Sequence, residues 1–145
     1  MYKRILVPVD GSEGSLKALL HATDLQKLTG SELWILTVFR HHSMQEASMS
    51  MVRPADPENL DDSMRAYSKE IAEAAKAAAL ERGAMAPRAF VKNGQPARTI
   101  VAFAKEHGVD LIVIGSRGVG DLEGYLLGSV SHKVTSLAKC PVLVI

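Results

Sequence analysis

The chain has 145 residues, of which 47% are apolar, 23% charged and 5% aromatic, a composition typical of one globular domain spanning 1–145. Seventeen Lys and Arg residues are balanced by sixteen Asp and Glu residues, and this net charge of +1 lacks the basic excess that a nucleic-acid backbone requires. A single cysteine, Cys140, excludes an internal disulfide, and no apolar run approaches the ~18 residues of a membrane-spanning helix. We therefore expect a cytoplasmic protein that is not membrane-embedded and does not bind nucleic acid.

Short apolar runs alternate with longer stretches of helical period along the chain. In the first half of the chain, the pattern predicts a strand at 4–9 and then a helix that begins near Ser12, carries Leu16, Leu19 and Leu28 and ends at Gly30. A strand at 33–39, a long connection at 40–60 and a helix at 62–82 are predicted to follow. The second half predicts a strand at 88–92, a helix from Pro96 to Gly108, a strand at 110–114, a helix that carries Val130 and Val134, and a strand at 140–145. This alternation predicts an α/β fold with one doubly wound sheet of five parallel strands and about four helices.

Two segments follow predicted strands at the edge where such sheets bind ligands. Asp10-Gly11-Ser12 follows the first strand, and a glycine-rich run begins at Gly115 after the fourth. Asp10 is a candidate ligand contact, although an Asp after a strand is also a common helix cap.

The glycine-rich run, residues 115–131, reads GSRGVGDLEGYLLGSVS and contains five glycines, which let main-chain amides approach an anion closely. Ser129 falls at the start of the predicted last helix, where free amides and the positive end of the helix dipole favour a phosphate. The hydroxyls of Ser129 and Ser131 can add donors, and Arg117 can supply a compensating charge. A plain surface loop is the alternative, but a position between a buried strand and a helix favours the phosphate site.

Two common phosphate-binding patterns do not fit this run. A P-loop requires Lys and then Ser or Thr after its second glycine, whereas Gly120 is followed by Asp121 and Leu122. The dinucleotide pattern G-x-G-x-x-G fails because Gly124 comes one residue late. The run therefore predicts phosphate binding of another kind.

The spacing Gly115-x2-Gly118-x9-Gly128-Ser129 resembles the ATP-binding signature of the universal stress protein family. The segments ILVPVDGS at 5–12, DLIVIG at 110–115 and CPVLV at 140–144 are also similar to the family's, so the resemblance covers the whole chain. It implies a three-layer, Rossmann-like fold whose five-stranded parallel sheet has the order 3-2-1-4-5. It also implies that the protein binds an adenine nucleotide, ATP or else AMP or ADP, together with Mg²⁺.

The resemblance also implies roles for individual residues. Pro8, Val9 and Asp10 would border the adenosine, with Asp10 near the ribose or a metal-bound phosphate. The main chain of Val38 would meet the adenine edge. The residues implied to face the ribose and phosphates are Gly115, Ser116, Arg117 and Gly118. The residues implied to close around the phosphate tail are Gly128, Ser129, Val130 and Ser131.

Two partners are implied in the same way. Dimers of this family commonly pair through the last strand, which implies a homodimer through Val142 to Ile145, and an unpaired apolar strand edge independently favours such pairing. The segment HHSMQEASMSMVRP at 41–54 is most similar to members found with TRAP-type transporters for ectoine-like compatible solutes. A transporter is therefore the second expected partner.

Three functions are compatible with these residues: a nucleotide-binding regulatory module in the stress response, a slow ATPase whose hydrolysis times a conformational switch, and a phosphoryl- or adenylyl-transferring enzyme. Efficient phosphoryl transfer needs strong stabilisation of negative charge, and Arg117 is the only obvious cation beside the expected site. We therefore expect a regulatory module without catalytic residues. We expect no metal site built by the protein alone, because the adjacent His41 and His42 lack metal-binding spacing.

Overall fold

The structure is a computed structural model that describes residues 1–40, 57–117 and 127–145. The strands in these ranges are β1 (Arg4–Pro8), β2 (Glu32–Phe39), β3 (Arg88–Asn93), β4 (Leu111–Ile114) and β5 (Val142–Val144). The helices are α1 (Glu13–Thr29), α2 (Pro57–Glu81), α3 (Pro96–Glu106) and α4 (Ser129–Leu137). None of the helices in the described ranges combines the length and the apolar character that crossing a membrane requires.

The predicted elements are all present, with shifted ends. The largest shift is at the start of α2, which begins at Pro57 rather than at Asp62. Proline lacks an N–H and restricts φ, but both properties are compatible with the first turn of a helix. The rest of the predicted connection, residues 41–56, lies outside the described ranges.

The five strands form one parallel sheet in the order β3-β2-β1-β4-β5, which confirms the order expected from the family resemblance. β1 is the central strand. The direction in which successive strands are added to the sheet reverses at β1, because β2 and β3 lie on one side of it and β4 and β5 on the other.

The pairing of β1 with β4 stops before either strand ends. Its register covers Ile5 with Leu111 and Leu6 with Ile112. Val9 donates its N–H to Leu36 of β2, so the neighbouring Pro8 presents its imino nitrogen toward β4. Proline has no hydrogen to donate, and the ladder with β4 therefore cannot continue through it. An opening is left between the carboxyl ends of β1 and β4.

Helices cover both faces of the sheet. On one face, α1 and α2 pack over strand residues such as Val7 and Ile35. On the other face, α3 and α4 pack over residues such as Leu6 and Ile112. Burial on both faces explains why the strands are almost continuously apolar, and it gives the three predicted layers.

Helix α1 buries only some of the leucines that mark it in the sequence: Leu19 is fully buried and Leu25 packs against the core. Its buried side chains are Ser15, Ala18, Leu19, Ala22, Thr23 and Gln26. Leu16 is 43% exposed and Leu28 is 83% exposed. Small side chains on the buried face let the helix lie close to the sheet, and the larger Leu16 and Leu28 therefore remain near or at the surface. The helix ends at Gly30, whose φ of 72° is the left-handed conformation expected of a glycine after a helix.

Candidate functional site

A cavity of about 180 Å³ opens at the carboxyl edge of the sheet, between β1 and β4. Most of the residues selected from the sequence line it: Pro8, Val9, Asp10, Val38, Gly115, Arg117, Ser129, Val130 and Ser131. Ser116 and Gly128 do not line it, although both belong to the surrounding main chain. Gly118 lies outside the described residues.

Six further residues line the cavity without having been selected from the sequence: Ser12, Ser15, Leu36, Pro96, Ile100 and Ile114. Pro96 and Ile100 are on α3, which follows β3 and so begins at the same edge of the sheet. A proline in the first turn and an apolar residue one turn later were visible in the sequence. Their place beside β1, however, depends on the position of α3 across the sheet.

The walls of the cavity differ in chemistry. The wall formed by β2 and α3 is apolar and includes Leu36, Val38, Pro96 and Ile100. The opposite wall, formed by the β1–α1 turn, the segment after β4 and the start of α4, carries hydroxyls and charged groups, with Ile114 and Val130 between them. One side of the cavity can therefore hold an apolar group while the other bonds a polar one.

The β1–α1 turn is held by hydrogen bonds between three side chains and main-chain groups of the same turn. Asp10 Oδ1 accepts from the Ser12 N–H at 2.9 Å, and Ser12 Oγ accepts from the Ser15 N–H at 3.1 Å. Ser15 Oγ donates to the Ser12 carbonyl at 3.0 Å and accepts from the Asp10 N–H at 3.3 Å. The residue that caps α1 is therefore Ser12, whereas Asp10 shapes the turn and also lines the cavity.

The segment after β4 is fixed through the main chain of Ser116. Its N–H donates to the Ile145 carbonyl at 2.8 Å, and its carbonyl accepts from the Gly128 N–H at 2.6 Å. These bonds connect β4, β5 and the start of α4. They also occupy the amides of Ser116 and Gly128, so these two amides hold the site together instead of pointing at a ligand.

The two serines expected to donate to phosphate differ in their surroundings. Ser131 is only 3% exposed, and its hydroxyl donates to the carbonyls of Ser116 at 3.0 Å and Gly128 at 3.1 Å. Its single proton is therefore not available to an anion while these bonds last. Ser129 is exposed at the first position of α4, and the helix begins at Gly128 without a side-chain cap. The first-turn amides and the Ser129 hydroxyl are thus the donors best placed for an anion.

The charged groups that line the described part of the cavity are the Asp10 carboxylate and the Arg117 guanidinium. Within the described ranges, no group of three or more His, Cys, Asp or Glu side chains is arranged to hold a metal ion. A cation at this site would therefore need ligand atoms from a bound molecule in addition to Asp10.

Other residues considered from the sequence lie away from this cavity. Cys140 packs partly buried against the core on the α3 and α4 face, and burial raises the pKa of its thiol. A protonated thiol in such surroundings behaves as a small apolar group, as expected. His41 and His42 lie outside the described residues.

The fold and the cavity together define a doubly wound α/β protein with a binding crevice at the point where the strand order reverses. The profile described as the universal stress protein family matches residues 1–145. The chain belongs to the universal stress protein family.

Relatives cover nearly the full length of the chain. Universal stress protein YxiE of Bacillus subtilis is 42% identical over 148 residues, which are 100% of this chain and 99% of that protein. Universal stress protein MJ0577 of Methanocaldococcus jannaschii is 30% identical over 155 residues, covering 100% of this chain and 95% of that protein.

Solved structures of the family have the same fold. The structure of MJ0577 superimposes with a TM-score of 0.83, at 30% identity, over 100% of this chain and 96% of that one. A universal stress protein in complex with cAMP superimposes with a TM-score of 0.76, at 26% identity, over 99% of this chain and 97% of that one. The universal stress protein of Archaeoglobus fulgidus in complex with dAMP superimposes with a TM-score of 0.69, at 25% identity, over 99% of this chain and 98% of that one. Some structural relatives therefore bind adenine nucleotides.

Proposed function

We propose that this protein binds an adenine nucleotide in the cavity between β1 and β4 and acts as a nucleotide-dependent regulatory module in the stress response. The observation that carries the proposal is the meeting of an apolar wall with a wall of hydroxyls and helix amides at one edge of the sheet. A nucleotide has two ends that match these walls, a flat base at one end and an anionic phosphate at the other. The relatives bound to cAMP and dAMP support adenine as the base.

The walls suggest how the nucleotide is oriented. The base would lie toward β2 and α3, against Val38 and Ile100, because those side chains have no charge to desolvate. The phosphates would lie toward the first turn of α4, where Ser129 and uncapped amides can donate hydrogen bonds and the helix dipole is favourable. Arg117 would offset part of the phosphate charge. Gly118 belongs to the same proposed group on the strength of the sequence signature.

The carboxylate of Asp10 bears on the choice of ligand. A carboxylate beside a polyphosphate is repulsive unless a cation lies between them, and Mg²⁺ is typically held by one or two carboxylates together with phosphate oxygens. Asp10 fits that role, since it lines the cavity on the wall proposed for the phosphates. When bound, the ion would neutralise phosphate charge. We therefore propose ATP with Mg²⁺ as the ligand, with AMP or ADP as the alternatives.

A regulatory role suits the charge of the site better than rapid catalysis does. Phosphoryl transfer depends on strong stabilisation of developing charge, and Arg117 is the only cationic side chain on the described lining. The proposed module would report the bound nucleotide through its assembly. A homodimer through Val142 to Ile145, a TRAP-type transporter as partner and a cytoplasmic location remain predictions from the sequence.

The test is calorimetry of the purified protein, freed of any co-purified ligand, with ATP, AMP and GTP, after mass spectrometry has identified that ligand. We expect saturable binding of ATP in the presence of Mg²⁺, weaker binding after chelation with EDTA, and weaker binding of GTP. A folded protein that binds none of the adenine nucleotides would contradict the proposal.

An ATP-hydrolysis assay with ATP in excess over the protein separates the regulatory module from the ATPase. Bound ATP that persists for hours is expected of the module. Prompt multiple turnovers would show instead that the protein is an enzyme.

A further inference from the structure

We infer that Gly14, in the first turn of α1, is a positioning residue that sets where the main chain of Arg117 lies beside the cavity. A Cβ atom at Gly14 would lie 2.7 Å from the carbonyl oxygen of Arg117. The contact is reciprocal, since a Cβ atom at Gly115 would lie 2.7 Å from the carbonyl oxygen of Gly14. The two segments therefore touch main chain to main chain, which side chains at either position would prevent. This inference rests on the proposed nucleotide site.

The segment after β4 has little freedom to move away from such a side chain. Ser116 lies between Gly115 and Arg117, and its main chain is bonded to Ile145 of the last strand and to Gly128 before α4. The buried hydroxyl of Ser131 donates a third bond, to the Ser116 carbonyl. With Ser116 anchored in this way, a displacement caused at Gly14 falls mainly on Arg117, where the contact is made.

The first turn of α1 is also held in place. Ser12 and Ser15 bond to each other through both side chains, and Asp10 accepts from the Ser12 N–H. Ser15 is 7% exposed, so this turn is packed as well as hydrogen-bonded. A side chain at Gly14 would thus be held against the Arg117 carbonyl, because both the first turn of α1 and Ser116, the neighbour of Arg117, are fixed by hydrogen bonds.

The effect should be confined to one wall of the cavity. Arg117 belongs to the wall proposed for the phosphates, whereas Val38 and Ile100, proposed to face the base, are on β2 and α3 and do not touch Gly14. Displacing Arg117 would move its charge away from the phosphates. Binding of a ligand that has phosphates should therefore weaken more than binding of one that lacks them.

Helical strain cannot produce this effect at Gly14. Its φ is not among the positive values found at Gly11, Gly30, Gly83, Gly94 and Gly108. Alanine forms helix better than glycine does, so Gly14→Ala should not weaken α1 itself. Gly30 is the opposite case, because its φ is +72° and a Cβ atom there would meet nothing within 4 Å. Gly30→Ala should strain the end of the same helix without touching the site.

The experiment compares Gly14→Ala, Gly30→Ala and the wild type, each titrated with ATP and Mg²⁺ and, separately, with adenosine, which has no phosphates. For Gly14→Ala we expect ATP affinity to fall by about tenfold or more, with adenosine affinity unchanged. Gly30→Ala should lower the melting temperature and leave both affinities as in the wild type. Gly115→Ala reaches the same contact from the other side and should also weaken ATP binding.

Results that differ from these expectations would contradict specific parts of the inference. Wild-type affinity for ATP in folded Gly14→Ala would overturn the positioning role of Gly14. Equal losses for ATP and adenosine would overturn the restriction to the phosphate wall. A wild-type protein that binds neither ligand would contradict the proposed function itself, and the inference would fall with it.

Discussion

Single residues in the first turn of α4 show how neighbouring side chains of one type take different roles. Ser129 and Ser131 are two residues apart, but one is exposed at the helix start and the other is 3% exposed. Because residues two positions apart on a helix point in directions about 200° apart, the two hydroxyls have different surroundings although both residues line the cavity. The Ser131 hydroxyl faces the main chain that it holds.

Ser129→Ala tests the exposed hydroxyl. We expect ATP binding to weaken by about 1–3 kcal/mol, because a hydrogen bond to an ionised phosphate is lost. Stability should change little, since the side chain is exposed and makes no bond within the described residues that the fold requires. Calorimetry measures the first quantity and thermal unfolding the second. An unchanged dissociation constant would remove Ser129 from the proposed site.

Ser131→Ala tests the buried hydroxyl, with Ser136→Ala as a control on the same helix. Ser136 Oγ also donates to a main-chain carbonyl, that of His132 at 3.0 Å, but it is exposed. We expect Ser131→Ala to lower the free energy of unfolding by about 1–2 kcal/mol and Ser136→Ala by less than about 0.5 kcal/mol. Urea unfolding measures both. Equal losses in the two variants would mean that burial of the Ser131 hydrogen bonds adds nothing to the free energy of unfolding.

At the scale of elements, Asp110 connects β4 to the start of β1. Its carboxylate accepts from the Lys3 N–H at 2.9 Å and from the Arg4 N–H at 3.0 Å. Partial burial opposes ionisation of the carboxylate, but these main-chain donors outweigh it and hold the pKa of Asp110 below its ordinary value. The folded state therefore favours the charged form of this side chain.

This pKa predicts how stability depends on pH. Because the folded pKa is depressed, the contribution of Asp110 is fully present above the unfolded pKa of about 3.9 and is lost as the pH falls through the lower folded value. We expect Asp110→Asn to be less stable than the wild type by about 1 kcal/mol at pH 7, with the difference shrinking below about pH 4. Urea unfolding from pH 7 to pH 3 measures this. A difference that stays constant over the range would contradict the assignment.

At the scale of the whole molecule, the predicted homodimer depends on the outer edge of β5. Pro141 and Ile145 direct their main-chain groups toward β4. The alternation along a strand then leaves the N–H groups of Val142 and Val144 directed away from β4, toward the open edge. A second chain pairing there would bond to these groups.

Val144→Pro tests this edge, because it removes an outward N–H and leaves the bonds to β4 intact. Proline is tolerated at such an edge position. We expect the wild type to sediment as a dimer and the variant as a monomer with an unchanged circular dichroism spectrum. A wild-type monomer, or a variant that remains fully dimeric, would contradict pairing through β5.

The order and type of the elements could be predicted because they depend on local apolar periodicity. The exceptions have identifiable causes. Pro57 resembles a break in the sequence, yet it occupies the first turn of α2, where a proline fits. In α1, Leu19 is buried, but Leu16 and Leu28 are exposed, because the other side chains that face the sheet are small or polar and fit the space between helix and strands.

The sequence by itself determined the type and sequence of the elements, the edge of the sheet at which the cavity opens and most of the side chains that line it, because local patterns show where each strand ends and which residues follow it. The tertiary structure alone decided which donors are free. Ser116 and Ser131 are committed to Ile145 and Gly128, and Gly14 touches Arg117, a residue about a hundred positions away in the chain. Contacts between main-chain atoms so distant in sequence depend on how the helices and strands approach one another, which no local pattern records.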